Sequence, residues 1–463
     1  MKKIVYILLT AFIFTNLLSS CKESFLDQEK PLVSTEAIVF TDAAKTEAAL
    51  LGLYATLKGS DCNYLGGRTY VVFDNRGWDI DNIDPNGVTL AQTFAMAVNQ
   101  TQQENKDTWY YGYQAINRAN VFIQSVEDYK TADVIGADKA KQYVAEAKFV
   151  RALSYYYMLQ LYSEPYKVNK SAKALPLRLT AIKGSGQSDC ASSTISKVYE
   201  QILTDINDSE IAALSGDVKQ KTRATKAAAY MLRMRVYMAM ENWSAAITAG
   251  NAVTGYTLVS DVAAQFKSPF YTDENIFSLP MSTNDRPNTQ RSSWEFYNTG
   301  RICIIQKSAP GVMSMPNYSI AKDKRVVAFD QDGKVGKWTD PSDGRLKWHP
   351  IFRFAETKLN LAECYARSSN VDAAITALSD VRRRSIAEAD DKLDVSTLAG
   401  SALLEAIALE KRLEFLGEGL AGIEIIRKGE SFRNNTGPGN PYYTWPFPEA
   451  ERVNNALWDQ LEP

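Results

Sequence analysis

TRATKAAAYMLRMRVYMAMENWSAAITA, residues 222–249, joins an Ala- and Met-rich apolar run to a second Ala-rich run across a break at Glu241-Asn242. Moved forward by 128 positions without a gap, Tyr237-x4-Asn242-x2-Ala245-Ala246-Ile247-Thr248-Ala249 becomes Tyr365-x4-Asn370-x2-Ala373-Ala374-Ile375-Thr376-Ala377. Two copies with the same residues at the same offsets are an internal repeat. The physical unit is a helical hairpin. Small Ala side chains let two helices approach closely, and the large Tyr237 or Tyr365 fills the groove beside the turn. A single hairpin cannot bury both faces, so it must stack on neighbours.

The expected fold is therefore mostly α, a tetratricopeptide-like helical-repeat scaffold with a loop-rich inserted lobe. Asp42 can cap a helix running to Lys58. Helical spacing recurs over 104–126 and 137–162, which predicts the first hairpin. A helix is expected from Ser192 to Leu214, then the pair within 222–254, the pair 352–367 and 371–387, and a helix over 401–417. Between 59 and 99 the chain reads as irregular, with turn signals at Gly66-Gly67, Asp84-Pro85 and Asn86-Gly87 and a β-like run Thr69–Phe73. From 257 to 350 the periodicity fades among seven prolines, which predicts an inserted lobe. The tail after Ser431 carries little helical signal before Glu449.

The totals exclude several functions. The 463 residues carry 52 basic and 54 acidic side chains, a net charge of −2 with no single-sign block, so no nucleic-acid partner is expected. One histidine, His349, cannot build a His-rich zinc site, and Cys-x2-Cys spacing is absent, so no metal or cofactor is expected. Around Asp79-x-Asp81, Asp84 and Asn86, Ile83 stands where a calcium loop of the EF-hand type wants Asp or Asn. Cys62, Cys190, Cys303 and Cys364 read as small buried residues, with a bridge among them left open.

Residues 1–20 read as a secretory leader: Met1-Lys2-Lys3, an apolar run from Ile4 to Leu18, then small residues. The run is too short for an ordinary spanning helix. The cut reads Leu18-Ser19-Ser20-Cys21, which resembles the lipobox of bacterial lipoproteins, with Cys21 as the lipidated first residue of the mature chain; the alternative is an ordinary secretory cut near Ser20 with Cys21 incidental. Each buried acyl methylene contributes ~0.8 kcal/mol to holding a soluble body at a membrane. The organisation expected is leader 1–20, an N-terminal region 21–221 with the first hairpins and a ligand-loop segment, and a C-terminal region 222–463 with two hairpin repeats around the lobe 257–350.

At this point the chain resembles the SusD/RagB family of surface lipoproteins. The residues that carry the resemblance are Ser20-Cys21-Lys22-Glu23-Ser24-Phe25-Leu26-Asp27, Trp109-x6-Ile116-x-Arg118-Ala119-Asn120, and Ala145-Glu146-Ala147-Lys148-Phe149-x-Arg151-Ala152. Further matches are Asn242-Trp243, Arg353-Phe354-Ala355-Glu356, Ala362-Glu363, Glu410-Lys411-Arg412-x-Glu414-Phe415 with Gly419, and Trp445-Pro446-Phe447-Pro448. The resemblance implies four tetratricopeptide-like units on one side and ligand-carrying loops on the other. It implies a non-catalytic lid, anchored by lipid in the outer membrane at the cell surface, that hands oligosaccharide to a SusC-like TonB-dependent barrel. Peptide cargo, as in the RagB branch, stays open. So does a lipid-anchored glycosidase, which would need two carboxylates facing across a cleft.

Sugar binding needs flat aromatic faces flanked by planar polar groups. The best local cluster is Asp74, Asn75, Arg76, Trp78 and Asp79, with Gly77 giving the backbone close approach. The alternative is that Trp78 packs on the helical body and Arg76 pairs with Asp79. The lobe offers Trp294, Tyr297, Trp338 and Trp348 as further stacking surfaces. His349 reads as a packed residue, and Glu410-Lys411-Arg412-x-Glu414 as a charged helix face.

Overall fold

Asp42 opens the first long helix: its carboxylate accepts the Lys45 amide at 2.9 Å and starts α1 (Ala43–Lys58), which ends where Gly59 turns to φ 73°. The computed structural model describes residues 35–184, 189–287, 292–298, 302–315, 322–325, 330–331, 333–339 and 344–458. The expected leader and the lipidation residue Cys21 lie outside the described residues.

After α1 come α2 (Arg68–Arg76), α3 (Gln103–Asp128) and α4 (Ala137–Tyr162). α3 and α4 pack together as the first hairpin. From Ala145 onward, all but one residue of α4 is buried, so the helix is a central post and not an amphipathic wall. Its Arg151 is tolerated there because Asp205 accepts from Nε at 2.8 Å and from Nη2 at 2.6 Å. The single helix expected over 192–214 is broken into α5 (Ile195–Asp205) and α6 (Asp208–Ala213). Asn207 causes the break. Its side chain accepts the Glu210 amide and caps α6 instead of continuing the helix.

The repeated hairpins are α7 (Lys226–Ala239) with α8 (Trp243–Asn251), and, beyond the short α9 (Ser293–Asn298), α10 (Phe354–Arg367) with α11 (Val371–Ser385). Their corners are built alike. Glu241 and Ser369 take φ 56° and 59°, and the Asn242 and Asn370 amides each donate to the tyrosine carbonyl five residues back, both at 2.9 Å. Each Asn side chain then accepts an amide of the next helix, from Ala245 at 3.2 Å and from Ala373 at 3.4 Å. α8 lies against α10, so the two copies stack. The fold is mostly α with tetratricopeptide-like character. α12 (Gly400–Glu414), α13 (Leu420–Lys428) and α14 (Glu449–Asn454) follow.

Short antiparallel strands stitch the irregular side. β1 (Ile80–Asn82) pairs with β5 (Cys303–Ile305), β2 (Lys173–Pro176) with β3 (Ser192–Thr194), β4 (Asn275–Leu279) with β8 (His349–Arg353), and β6 (Asp330–Gln331) with β7 (Lys334–Val335). The β4–β8 register sets Leu279 opposite His349, closing the chain that leaves and returns between them. The β1–β5 register sets Asn82 opposite Cys303 and ties that segment to the stretch after α2. Cys62, Cys190, Cys303 and Cys364 are free thiols.

Candidate ligand-binding site

The β-like run Thr69–Phe73 is helical, as part of α2. Every residue of α2 is buried, and the helix packs against α13 and α9, so tertiary burial overrides the local strand preference of its Val and Phe residues. That burial corrects the expectation for three of the proposed sugar contacts. Asp74 accepts the Tyr297 hydroxyl at 2.7 Å and the Gly419 amide at 3.1 Å, and burial pushes its carboxyl up to about 7. Asn75 donates to the Val71 carbonyl at 2.9 Å and accepts from Asn82 at 3.0 Å. Arg76 lies 4.1 Å over the Phe432 ring and donates to the Tyr443 carbonyl. All three are interior side chains whose partners are protein, so they form no surface for a sugar.

The alternative pairing of Arg76 with Asp79 does not occur either. Asp79 is clasped by Arg412, with Nε at 3.0 Å and Nη2 at 2.5 Å, and accepts the Val312 amide at 2.7 Å. Trp78, the residue before it, is half-buried.

Two of the four lobe aromatics are also interior. Tyr297 is the partner of Asp74. Trp338 donates its indole N–H to the Gly417 carbonyl at 2.8 Å and stacks on His349 at 4.8 Å. His349 is sandwiched between Trp338 and Tyr70. Burial, with Lys58 nearby, pushes it down to about 3, so it is a neutral packed ring. Trp294 and Trp348 remain half-buried. The Trp294 indole lies so close over Gly344 that a Cβ there would meet its Cδ1 at 1.9 Å. Trp348 stacks on Tyr271 at 5.1 Å with 25° between planes, and Tyr271 is 42% exposed. Tyr271 had no signal in the sequence beyond its place near Pro269.

The motif Glu410-Lys411-Arg412-x-Glu414 is not an exposed charged face. Glu410, Lys411 and Glu414 are buried. Glu410 meets Arg382 at 2.7 Å and Arg325 at 2.6 Å, while Glu414 meets Arg384 at 2.6 Å and Arg353 at 3.0 Å. Burial alone would raise the Glu414 carboxyl, but Arg384, Arg353 and Arg325 hold it well below the usual range. Arg353 also reaches Glu418 at 2.8 Å, so the network fixes the turn between α12 and α13 that receives Asp74 and Trp338.

Trp78 and Asp79 come together with α12 and α13 around a cavity of about 90 Å³. Phe415, Leu420 and Ile425 give it an apolar wall, and Lys411, Arg412, Glu424 and Lys428 give it charge. Lys411 bridges Glu363 at 2.7 Å and Glu424 at 3.1 Å. The α13 contribution was missed in the sequence. Leu420, Ile423, Glu424 and Arg427 at three- and four-residue spacing between Gly419 and Gly429 were the available signal. Trp294 and Trp348 do not line this cavity.

A stacked-hairpin scaffold with half-buried aromatics at its loops defines a helical-repeat protein of the kind that presents surfaces. Among the described residues no group of three or more His, Cys, Asp or Glu could hold a metal, and no helix is long and apolar enough to cross a membrane. The SusD-like family described as starch-binding and associating with the outer membrane matches residues 25–238, and the SusD family matches 273–459. A SusD superfamily crystal structure from Bacteroides fragilis is 47% identical and superposes with a TM-score of 0.86, covering 91% of this chain and 100% of its own. SusD-like protein P25 of Formosa agariphila is 24% identical, over 92% of this chain and 89% of its own. A laminarin-binding SusD-like protein, 19% identical with a TM-score of 0.70 over 91% of this chain and 99% of its own, shares the fold. The chain belongs to the SusD/RagB family.

Proposed function

We propose that the chain is a non-catalytic nutrient-binding lipoprotein of the cell surface, anchored through Cys21 in the outer membrane, that captures oligosaccharide and passes it to a SusC-like TonB-dependent transporter. The observation that carries this reading is the pair of family matches, 25–238 and 273–459, the first described as starch-binding and associating with the outer membrane. The laminarin-binding relative of like fold supports a glycan as cargo.

The contacts proposed are Trp348 with Tyr271, Trp294, and Trp78 beside Asp79. A stacked pair such as Tyr271 and Trp348 offers a broad ring face to the C–H side of a pyranose. The lack of chemistry is supported by where the titratable groups lie. Asp74, with its raised pKa, is 3% exposed and held by Tyr297 and Gly419, out of reach of a substrate. Affinity electrophoresis of the purified chain in gels containing starch, laminarin or other neutral glycans tests the reading, with Trp348→Ala and Tyr271→Ala beside the wild type. Retention of at least one glycan, weakened in the variants, is expected. Release of shorter sugars from any glycan would end it.

A further inference from the structure

Away from those aromatics, a shallow groove of about 990 Å³ runs along α3, walled on its far side by residues 178–183 and by α14. Its lining holds four basic side chains, Lys106, Arg118, Arg178 and Lys183, against two acidic ones, Asp107 and Glu451, in a chain whose net charge is −2. Of these acids only Glu451 is ion-paired; Asp107 meets a neutral amide through one oxygen, and its other oxygen is buried without a partner among the described residues. Glu451 meets Arg178 at 2.6 Å and accepts the Trp109 indole N–H at 3.3 Å, and Asp107 accepts from Gln103 at 2.7 Å. Lys183 is paired with Glu36 at 2.7 Å. Lys106 and Arg118 are exposed and make no ion pair among the described residues.

Between these two cations, on the same helix, stand Tyr110 and Tyr113. Tyr110 is 60% exposed, with the Gln114 amide 3.3 Å from its hydroxyl. Lys106 and Arg118 stand twelve positions apart along the helix, a rise of ~18 Å, the reach of several sugar rings. The arrangement is an exposed ring face with one side-chain amide, that of Gln114, between two spaced cations that make no ion pair among the described residues. We propose that this groove is a second carbohydrate track, selective for anionic oligosaccharides bearing carboxylate or sulfate groups.

Lys106 and Arg118 each face one anionic substituent of the same chain, and Tyr110 stacks on a ring between them. A neutral glycan would leave both cations unused. Beside Gln114 the groove is lined by Trp109, Tyr113, Val121, Ile182 and Pro448, so apolar surface as well as cations is offered to the ligand. The inference takes from the proposed function only that sugars are the ligand class, and it concerns a different face.

Affinity electrophoresis of the full chain in gels containing polygalacturonate, a sulfated galactan or neutral laminarin tests it, at low and high salt. The wild type is expected to be retarded by at least one of the two anionic polymers, less so at high salt. Lys106→Gln with Arg118→Gln, and separately Tyr110→Ala, should weaken that retardation about five-fold or more with the melting temperature unchanged. Retention on whichever neutral glycan the wild type binds should stay as in wild type for these variants and fall for Trp348→Ala, which separates failure of the groove from failure of the proposed site. No retardation by either anionic polymer overturns the proposal. So does a charge-variant loss that is matched on polyglutamate while Tyr110→Ala binds normally, since that is unspecific attraction to any polyanion.

Discussion

The Tyr365 hydroxyl lies 3.1 Å from the Asn251 side-chain amide, joining the first helix of one repeated hairpin to the last turn of the other. The residue that marks the repeat in sequence thus also fastens one copy to the next. Stacked repeats depend on such neighbour contacts, since each hairpin leaves a face to be covered.

The repeated corner makes the first prediction. Asn242→Ala and Asn370→Ala each remove the side chain that caps the following helix. Each is expected to cost about 1 kcal/mol of stability, read by urea denaturation at neutral pH. Unchanged midpoints in both variants would show that the shared sequence marks something other than a cap.

Arg353 is the hub of the buried charges, within 3.0 Å of Glu274, Glu414 and Glu418. Arg353→Met keeps the bulk and leaves those carboxylates short of a partner. A loss of about 3–5 kcal/mol is expected at pH 7, read by urea denaturation. A variant as stable as wild type at pH 7 would contradict this account of the turn after α12.

His349 sets a pH dependence whose sign is fixed by its burial. Its native pKa, about 3, lies below the ordinary 6.5, so the unfolded chain takes up the proton first as pH falls. Its contribution is complete above about pH 6.5 and is lost as the pH falls toward 3. His349→Phe should therefore flatten the decline in stability between pH 7 and pH 4 by up to about 3 kcal/mol. Parallel urea curves for the two proteins across that range would refute it.

Gly344 controls one of the half-buried rings. Gly344→Ala would drive a Cβ into the Trp294 indole and force the ring to move. If Trp294 contacts the glycan, retention should fall about as far as in Trp294→Ala, with circular dichroism unchanged. Equal retention in wild type and both variants would remove Trp294 from the site.

The helical frame was legible because hairpins leave a regular trace. Spacing of apolar residues drew α3, α4 and the repeat, and Asp42 announced its cap, whereas the paired Asn residues marked the repeat and their capping role came only with the structure. What stayed hidden was exposure. Asp74, Asn75 and Arg76 look like a sugar-reading cluster in one dimension. α13 and α9 close over them, and the partners of Asp74 and Arg76, which are Tyr297, Gly419, Phe432 and Tyr443, lie more than two hundred residues away. Separations of 28 to 89 residues likewise hide the charged motif of α12, whose acids look solvated until Arg325, Arg353, Arg382 and Arg384 arrive from other elements. Trp78 and Trp348 remained accessible, but Tyr271 and α13, which complete their surroundings, gave little local signal.

The most direct test of a scaffold that holds glycan without cutting it is titration of the purified wild-type chain and Trp348→Ala with the best-retained neutral oligosaccharide. Heat of binding should be followed while the solution is assayed for shorter sugars. Saturable binding by the wild type, at least several-fold weaker in Trp348→Ala, with the oligosaccharide recovered intact, is the predicted result. Equal affinity in the two proteins, or accumulation of cleavage products with the wild type, would contradict the account.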